Sequence, residues 1–452
     1  MSAHAIDSVF FQHLFATDEM RRIFADESLL QKWLDVEAAL ARSEAKLGII
    51  PSQAAREISR KAVVHELDGE ELQRQIRVTG QIIVPLVSAL ATACEGDAGE
   101  YVHWGATTQD IMDTGVVLQL KQALVLLKGD LGEIRQALVA LAQKHKHTPM
   151  PGRTYGQQAL PITFGYKVAV WLAEVCRNTE RLEECSRRLL VGQFAGATGT
   201  LASLPEKGLD VQEELMRELG LGVPDIAWHA SRDRFAEFIS LLSMICTTQA
   251  KIANEIIALS KSDIAELEEP QREGSIGSST MPHKRNPMIC EGIIAGAKLV
   301  RAAVQPAHEG MIQEHERDTW WAEWAYVPEA CIITAAILQH SKYVLSNLVV
   351  RPEAMKANLS LTGGLMGSEA VMLELAKRMG RQTAHELVHD LAMESISTGL
   401  SFKACLLGNP TVAQHLAEAE VDRLLDPERY VGLSAHFVDR VVALATRDPQ
   451  RR

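Results

Sequence analysis

Residues 109–147 contain no proline, and Val117, Leu120, Leu124, Leu127, Leu131, Ile134, Leu138 and Leu141 recur at alternating spacings of three and four. That spacing keeps one stripe of a helix buried over a length of roughly 50 Å at about 1.5 Å per residue. The pattern predicts two more long helices over residues 162–190 and 234–259, the second almost uncharged until Lys251. A helix that is apolar on most sides must be covered on most sides, by its own bundle or by neighbouring subunits. Ahead of these, DESLLQKWLDVEAALARSEAKLG reads as a shorter helix ended by Gly48 and Pro51, and a polar turn at 146–152 separates the first two long helices. From about Arg351 the chain returns to short helices punctuated by Gly363, Gly364, Gly367, Gly380 and Gly408. The expected architecture is all-α in three parts: a helical domain over 1–110, a central long-helix bundle over 111–350 and a C-terminal helical domain over 351–452. No strong strand alternation and no internal repeat interrupts this pattern.

Composition narrows the function. With 46 Lys plus Arg against 58 Asp plus Glu, the net charge of -12 argues against a nucleic-acid partner held through its phosphates. The first twenty residues lack the basic start and apolar core of a secretory signal, and the uncharged window 78–94 is too short and too polar to span a membrane. The seven cysteines are scattered and form no CxxC, so reduced thiols in a cytoplasmic protein are expected. The sequence has no GxxxxGK[ST], HExxH or GxSxG, and the glycines at Gly220 and Gly222 lack the last glycine of a dinucleotide loop. His145 and His147 are two apart, on different faces of a helix, and no metal site is expected.

The stretch GSSTMPHKRNP, residues 277–287, is the densest in chemistry. Composition alone allows a Ser/Gly turn running into a basic helix start. Equally, a serine pair preceded by glycine can set a hydroxyl against backbone N–H groups, while Lys284 and Asn286 supply a cation and an amide for a carboxylate. That set suits removal of a proton alpha to a carboxylate, where charge spreads onto the carboxylate oxygens. It does not suit oxidation.

This loop resembles the signature of the fumarase/aspartase superfamily, and the likeness extends to HWGATTQD at 103–110 and GRTYGQQA at 152–159. The resemblance implies an all-helical fold and a homotetramer whose active sites each draw on three subunits. It implies no metal and no cofactor, and a small di- or tricarboxylate as substrate rather than nucleic acid or membrane. Ser278 takes the place of the general base, Lys284 and Asn286 of the groups holding the carboxylate, and Met281 of a loop residue packed on the ligand. Ser279 has two readings, a substrate contact or a loop hydrogen bond. Thr107, Thr108 and His103 match carboxylate-binding positions, with proton transfer a second role for His103, although a histidine beside Trp104 also suits simple packing. Gln157 matches a ligand contact and Arg232 a further carboxylate contact. Asp110 and Asp113 are expected to cap the helix that follows.

Tyr155 departs from the lyase pattern. In adenylosuccinate and argininosuccinate lyases a histidine stands there; a phenol, with a reference pKa of about 10, is a weaker acid than imidazolium. The segment FQHLF at 11–15 also lacks the Arg-Tyr pair of adenylosuccinate lyases, which points away from purine synthesis. The overall pattern, including WHASRDR, QEHERDTWWAEWAYVPEA and LLDPERYVG, is most similar to the 3-carboxy-cis,cis-muconate cycloisomerase branch. Members of that branch carry Trp at the Tyr155 position and Ser in place of Thr108. The expectation is therefore a cycloisomerase that closes or opens a lactone by proton transfer alpha to a carboxylate. The alternative is a lyase or epimerase of an amino- or imino-dicarboxylate. Lys284, Arg285 and Arg317 would give the acidic chain the local positive charge such a substrate needs. Trp320, Trp321 and Trp324, around Glu323, read as a packed interface, or else as pocket wall.

Overall fold

The computed structural model describes residues 4–272, 274, 276–312, 314 and 318–447. The elements that bear on the site are, in chain order, α1 (Asp26–Lys46), α2 (Thr108–Lys144), β1 (Pro149–Thr154), β2 (Gln157–Thr163), α3 (Phe164–Leu189), α4 (Asp233–Leu259), β3 (Leu267–Glu268), α5 (Met288–Ala302), α6 (Asp318–Ser346) and β4 (Val349–Val350), with further helices between and after them. All eight seam residues of α2 are buried, so the three-and-four spacing marks a true packing stripe. The ends of α3 and α4 fall within two residues of those expected. The fourth long helix, α6, continues through Pro328, a residue that in a sequence pattern normally marks a boundary.

By compactness the chain divides into two units, each gathered from three stretches. The first comprises Met1–Leu131, Asn178–Thr247 and Ala295–Gln339; the second comprises Gly132–Arg177, Thr248–Ile294 and His340–Arg452. The core of the first unit joins Trp33, Leu34 and Ile58 to Ile83, Leu86, Ile111 and Met112. Here α1 lies against α2 where the latter has Gly115: a β-carbon at that position would sit 2.5 Å from the Trp33 ring. In the second unit Val371, Leu375, Leu391, Phe402, Leu406 and Val421 form the core beneath the C-terminal helices.

The all-α expectation holds, and a few short strands accompany the helices. β1 and β2 form an antiparallel hairpin, with Thr154 opposite Gln157 and a register shift between Pro151 and Arg153. Its two loop residues, Tyr155 (φ 52°) and Gly156 (φ 76°), are both left-handed, as a tight hairpin turn requires. The hairpin carries Pro149, Pro151 and Pro161 and has Tyr rather than Asn or Asp in its turn, so neither alternation nor turn chemistry announces it.

Where α2 ends and α3 begins, Gly165 lies directly on backbone: an added β-carbon would stand 2.6 Å from the Ala142 carbonyl oxygen and 2.7 Å from the Lys146 Cα. Neither neighbour is a side-chain tip that can swing away. Gly165→Ala is expected to destabilise the protein by about 1–3 kcal/mol, read as a lowered denaturant midpoint at unchanged slope.

Candidate functional site

The residues singled out in the sequence fall in both units. His103, Thr107, Thr108 and Arg232 belong to the first; Tyr155, Gln157, Ser278, Ser279, Met281, Lys284 and Asn286 belong to the second.

In the first unit the chain turns into α2 through His103 (φ 63°) and Gly105 (φ 72°). Asp110 organises this entry. Its carboxylate accepts the Thr107 N–H at 3.0 Å, which caps the helix as expected, and also the N–H groups of Ala195 and Gly196 at 3.1 and 3.0 Å. His229 Nε2 completes the set at 2.9 Å. One buried carboxylate thus fixes the Thr107 and Thr108 turn against two other segments, leaving both threonines half-buried. His103 is held from the other side, Nδ1 lying 2.6 Å from Oε1 of the wholly buried Glu37 of α1.

Two expectations change here. Asp113 is not a cap: it pairs with Arg232 through two hydrogen bonds of 2.9 and 3.0 Å. Arg232 is not an open carboxylate contact, because its remaining edge is taken by Glu323 and it is 1% exposed. Burial alone would lower the Arg232 pKa, but the charges and hydrogen bonds of Asp113 and Glu323 raise it further above the ordinary arginine value. Glu323 in turn is pushed upward, burial outweighing the help from Arg232. The cationic group also lies 5.2 Å from the Trp228 ring centre and 4.9 Å from that of Phe235. This cluster borders a cavity of about 320 Å³ walled by Trp33, Met112, Phe235, Trp320 and Trp324. Two of the three clustered indoles therefore line a cavity, while Trp321 is 62% exposed. Arg317 lies outside the described residues.

In the second unit Tyr155 stands fully exposed at the hairpin tip, with Gln157 exposed beside it. The hairpin is tied down by Arg153, whose guanidinium donates two bonds, of 2.9 and 2.6 Å, to the buried Glu266; Asn358 adds a third at 2.8 Å. The following residues close the base of the signature loop. Glu268 binds both Arg285 and Arg351, and Glu269 accepts the N–H groups of Ile289 and Cys290 at 3.1 and 2.7 Å, at the start of α5. A β-carbon on Gly277 would lie 2.6 Å from the Lys284 carbonyl oxygen, so only glycine lets the loop double back. Ser278 is half-buried, and its hydroxyl oxygen accepts from the Met281 N–H at 3.1 Å and, more weakly, from the Thr280 N–H at 3.4 Å. Donors aimed at that oxygen favour its charged form. Ser279, Met281 and Lys284 are exposed and Asn286 half-buried; among the described residues Lys284 has no carboxylate partner. Together the loop presents an oxygen on backbone donors and a cation and an amide whose side chains have no partner among the described residues, all in one short segment.

Sequence reasoning missed Glu37, Glu266, Glu268, Glu269 and the pairing role of Glu323. For Glu37 the signal was there: with Glu44 it sits on the same stripe of α1 as Trp33 and Leu40, where an apolar residue belongs. Both oxygens of Glu44 are buried without a hydrogen-bond partner, and burial, helped by the Glu37 charge, pushes its pKa up to about 9.

The Lyase family matches residues 13–301, and the family described as Adenylosuccinate lyase C-terminus matches residues 364–441. A relative from Dickeya dadantii, N-acetyl-S-(2-succino)cysteine lyase, is 43% identical over 447 residues, 98% of each chain. Adenylosuccinate lyase from Methanothermobacter thermautotrophicus is 45% identical over 433 residues, 95% of this chain and 96% of the other. The crystal structure of 3-carboxy-cis,cis-muconate lactonizing enzyme from Pseudomonas putida superposes with a TM-score of 0.91 at 39% identity, covering 97% of this chain and 99% of that one.

Two stability effects follow from these buried charges. Arg232→Met leaves Asp113 and Glu323 facing each other without a cation and is expected to cost about 3–5 kcal/mol, measured by denaturant unfolding. A far smaller loss would mean the pair is already solvated. For Glu44 the folded protein keeps the proton to about pH 9 whereas the unfolded chain releases it near 4.5. Between those values the unfolded state binds fewer protons, so stability falls as pH rises, at up to about 1.4 kcal/mol per unit. Glu44→Gln should flatten that part of the pH–stability curve, and an unchanged slope would place the titration elsewhere.

Proposed function

We propose, for a chain that belongs to the fumarase/aspartase superfamily of lyases and is an enzyme of that superfamily, that it cleaves a carbon–sulfur bond in a 2-thio-substituted succinate, releasing fumarate and a thiol. The observation that carries this reading is Tyr155, a phenol fully exposed at the tip of an antiparallel hairpin. An amine leaves a carbon only after it has been protonated, which calls for a good acid. A thiol has a pKa of about 8.5 and departs as thiolate with little help. A phenol that can donate one hydrogen bond to the departing sulfur is then sufficient.

The steps need only these side chains and water, which takes the proton that Ser278 gives up when it ionises before each turnover. Ser278, its oxygen on the backbone donors of the loop, takes the proton from the carbon alpha to the distal carboxylate. The electron pair moves into that carboxylate, where Lys284 and Asn286 hold the doubly charged form. It then returns to form the carbon–carbon double bond as the carbon–sulfur bond breaks and sulfur leaves with its pair. The thiolate takes a proton from Tyr155 or water. His103, Thr107 and Thr108 hold the second carboxylate. The Dickeya relative, named for such a thioether, supports the choice of leaving group.

The cycloisomerase expected from the sequence is the second reading, supported by the likeness to the Pseudomonas putida structure. There the same proton transfer accompanies addition of a carboxylate oxygen to a double bond. On either reading the enzyme works as a homotetramer with shared sites, supported by large apolar residues left exposed on long helices, Val125, Val170 and Met244 among them.

Incubation with N-acetyl-S-(2-succino)cysteine is expected to release fumarate and free thiol in equal amounts, followed by ultraviolet absorbance and thiol titration. Ser278→Ala should lower kcat by about 10²–10⁴-fold, whereas Tyr155→Phe should lose less than that range, which a required general acid supplies. Consumption of 3-carboxy-cis,cis-muconate with no release of thiol from the thioether would replace the first reading with the second. Full activity in Ser278→Ala would sink both.

A further inference from the structure

His103 is gripped from behind by one group. Its Nδ1 lies 2.6 Å from Oε1 of Glu37, whose side chain is 0% exposed, while the His103 side chain is 20% exposed. A carboxylate can only accept, so Nδ1 carries the hydrogen. The second oxygen of Glu37 is buried with no hydrogen-bond partner, leaving the imidazole as the only group bonded to that carboxylate among the described residues. A buried carboxylate so poorly matched strongly favours a cation beside it. The backbone at His103 is left-handed (φ 63°), a conformation that a residue with a β-carbon holds only when its contacts impose it.

The geometry points to Glu37 as the positioning residue of the site: by accepting the Nδ1–H it fixes the plane and tautomer of His103 and presents Nε2–H as a charged donor to a substrate carboxylate. This rests on the reading of His103 as a carboxylate-binding residue. The electrostatics agree. Burial pulls the His103 pKa down, but the hydrogen bond and charge of Glu37, with the charge of Asp110, leave it above the ordinary histidine value. Glu37 from α1 and Asp110 from α2 are the charged groups acting on the ring, and Glu44, behind Glu37, stays protonated at neutral pH. The imidazolium therefore persists at a pH where a solvated histidine has lost its charge.

Glu37→Gln is the test, because the amide oxygen can still accept from Nδ1–H while the charge is gone. With histidine labelled at the ring carbon and the His103 signal assigned by its loss in His103→Asn, the His103 pKa is expected to fall by about one to three units in Glu37→Gln. KM for the thioether dicarboxylate should rise, most at the upper end of the pH range, with kcat changed less. An unmoved His103 titration overturns the role of Glu37. A lowered pKa with an unmoved KM profile shows instead that His103 does not meet the substrate, which overturns the carboxylate-binding reading and the proposal with it. If Glu37→Gln fails to fold, the pH dependence of stability tests the pairing of Glu37 with His103 instead. A raised folded pKa gives stability that is fully present below the unfolded value and lost as pH rises through the folded one. His103→Asn should remove that component, and a curve identical to wild type refutes the pairing.

Discussion

Every segment that bears a candidate site residue is anchored by a carboxylate that has been taken out of water. An ionised acid in the interior is costly unless donors converge on it, so each such side chain forces the chain around it into one arrangement. Asp110 draws in the N–H groups of Thr107, Ala195 and Gly196 and the ring of His229. Glu266 holds the hairpin through Arg153, and Glu269, ahead of the signature loop, is bound to the first turn of α5 that follows it. These acids take no part in the proposed reaction. They convert loops, which would otherwise be mobile, into fixed platforms.

The Arg232 cluster shows the same economy of charge. Two acids share one base in a buried place, and burial, with a smaller push from the Asp113 charge, raises the pKa of Glu323. A substrate carboxylate brought there would meet two carboxylates before it met the guanidinium. The cation proposed for a substrate carboxylate is instead Lys284, exposed and without a carboxylate partner among the described residues. A protein of net charge -12 thus keeps an attractive patch by leaving a particular lysine unpaired while neutralising an arginine that looked equivalent in the sequence.

The long helices were legible because burial is periodic: the α2 stripe is written in eight residues and all eight are buried. The signature loop was legible because its chemistry is local, a glycine, a serine and the backbone donors two and three residues on. What was hidden depends on partners distant in the chain. Asp113 and Arg232 are 119 residues apart, and Glu37 and His103 are 66 apart. From the sequence, Asp113 near a helix start reads as a cap, and Arg232, followed by Asp233 and Arg234, reads as a carboxylate contact. The hairpin was hidden for a different reason, its prolines and its Tyr-Gly turn being atypical of strands. Even so, Glu37 and Glu44 on an apolar stripe were conflicts visible in the sequence, and conflicts of that kind tend to mark functional or strained positions.

The division of labour within the proposed site follows from where the chemistry is hard. Removing a proton alpha to a carboxylate is difficult for any substrate of this class, and the groups assigned to it sit on the loop whose backbone favours a charged serine oxygen. Departure of the leaving group varies from substrate to substrate, and it falls to the hairpin tip, a two-residue turn whose side chain projects fully into solvent. Exchanging Tyr155 for a residue that tolerates its left-handed backbone disturbs no side-chain packing on the ladder, since the side chain is fully exposed. Imidazole at that tip suits an amine that must be protonated; a phenol suits a thiolate that need not be. On the proposed mechanism the reaction can then change through one exposed residue while the loop assigned to proton abstraction, held at its base by Glu268 and Glu269, stays as it is.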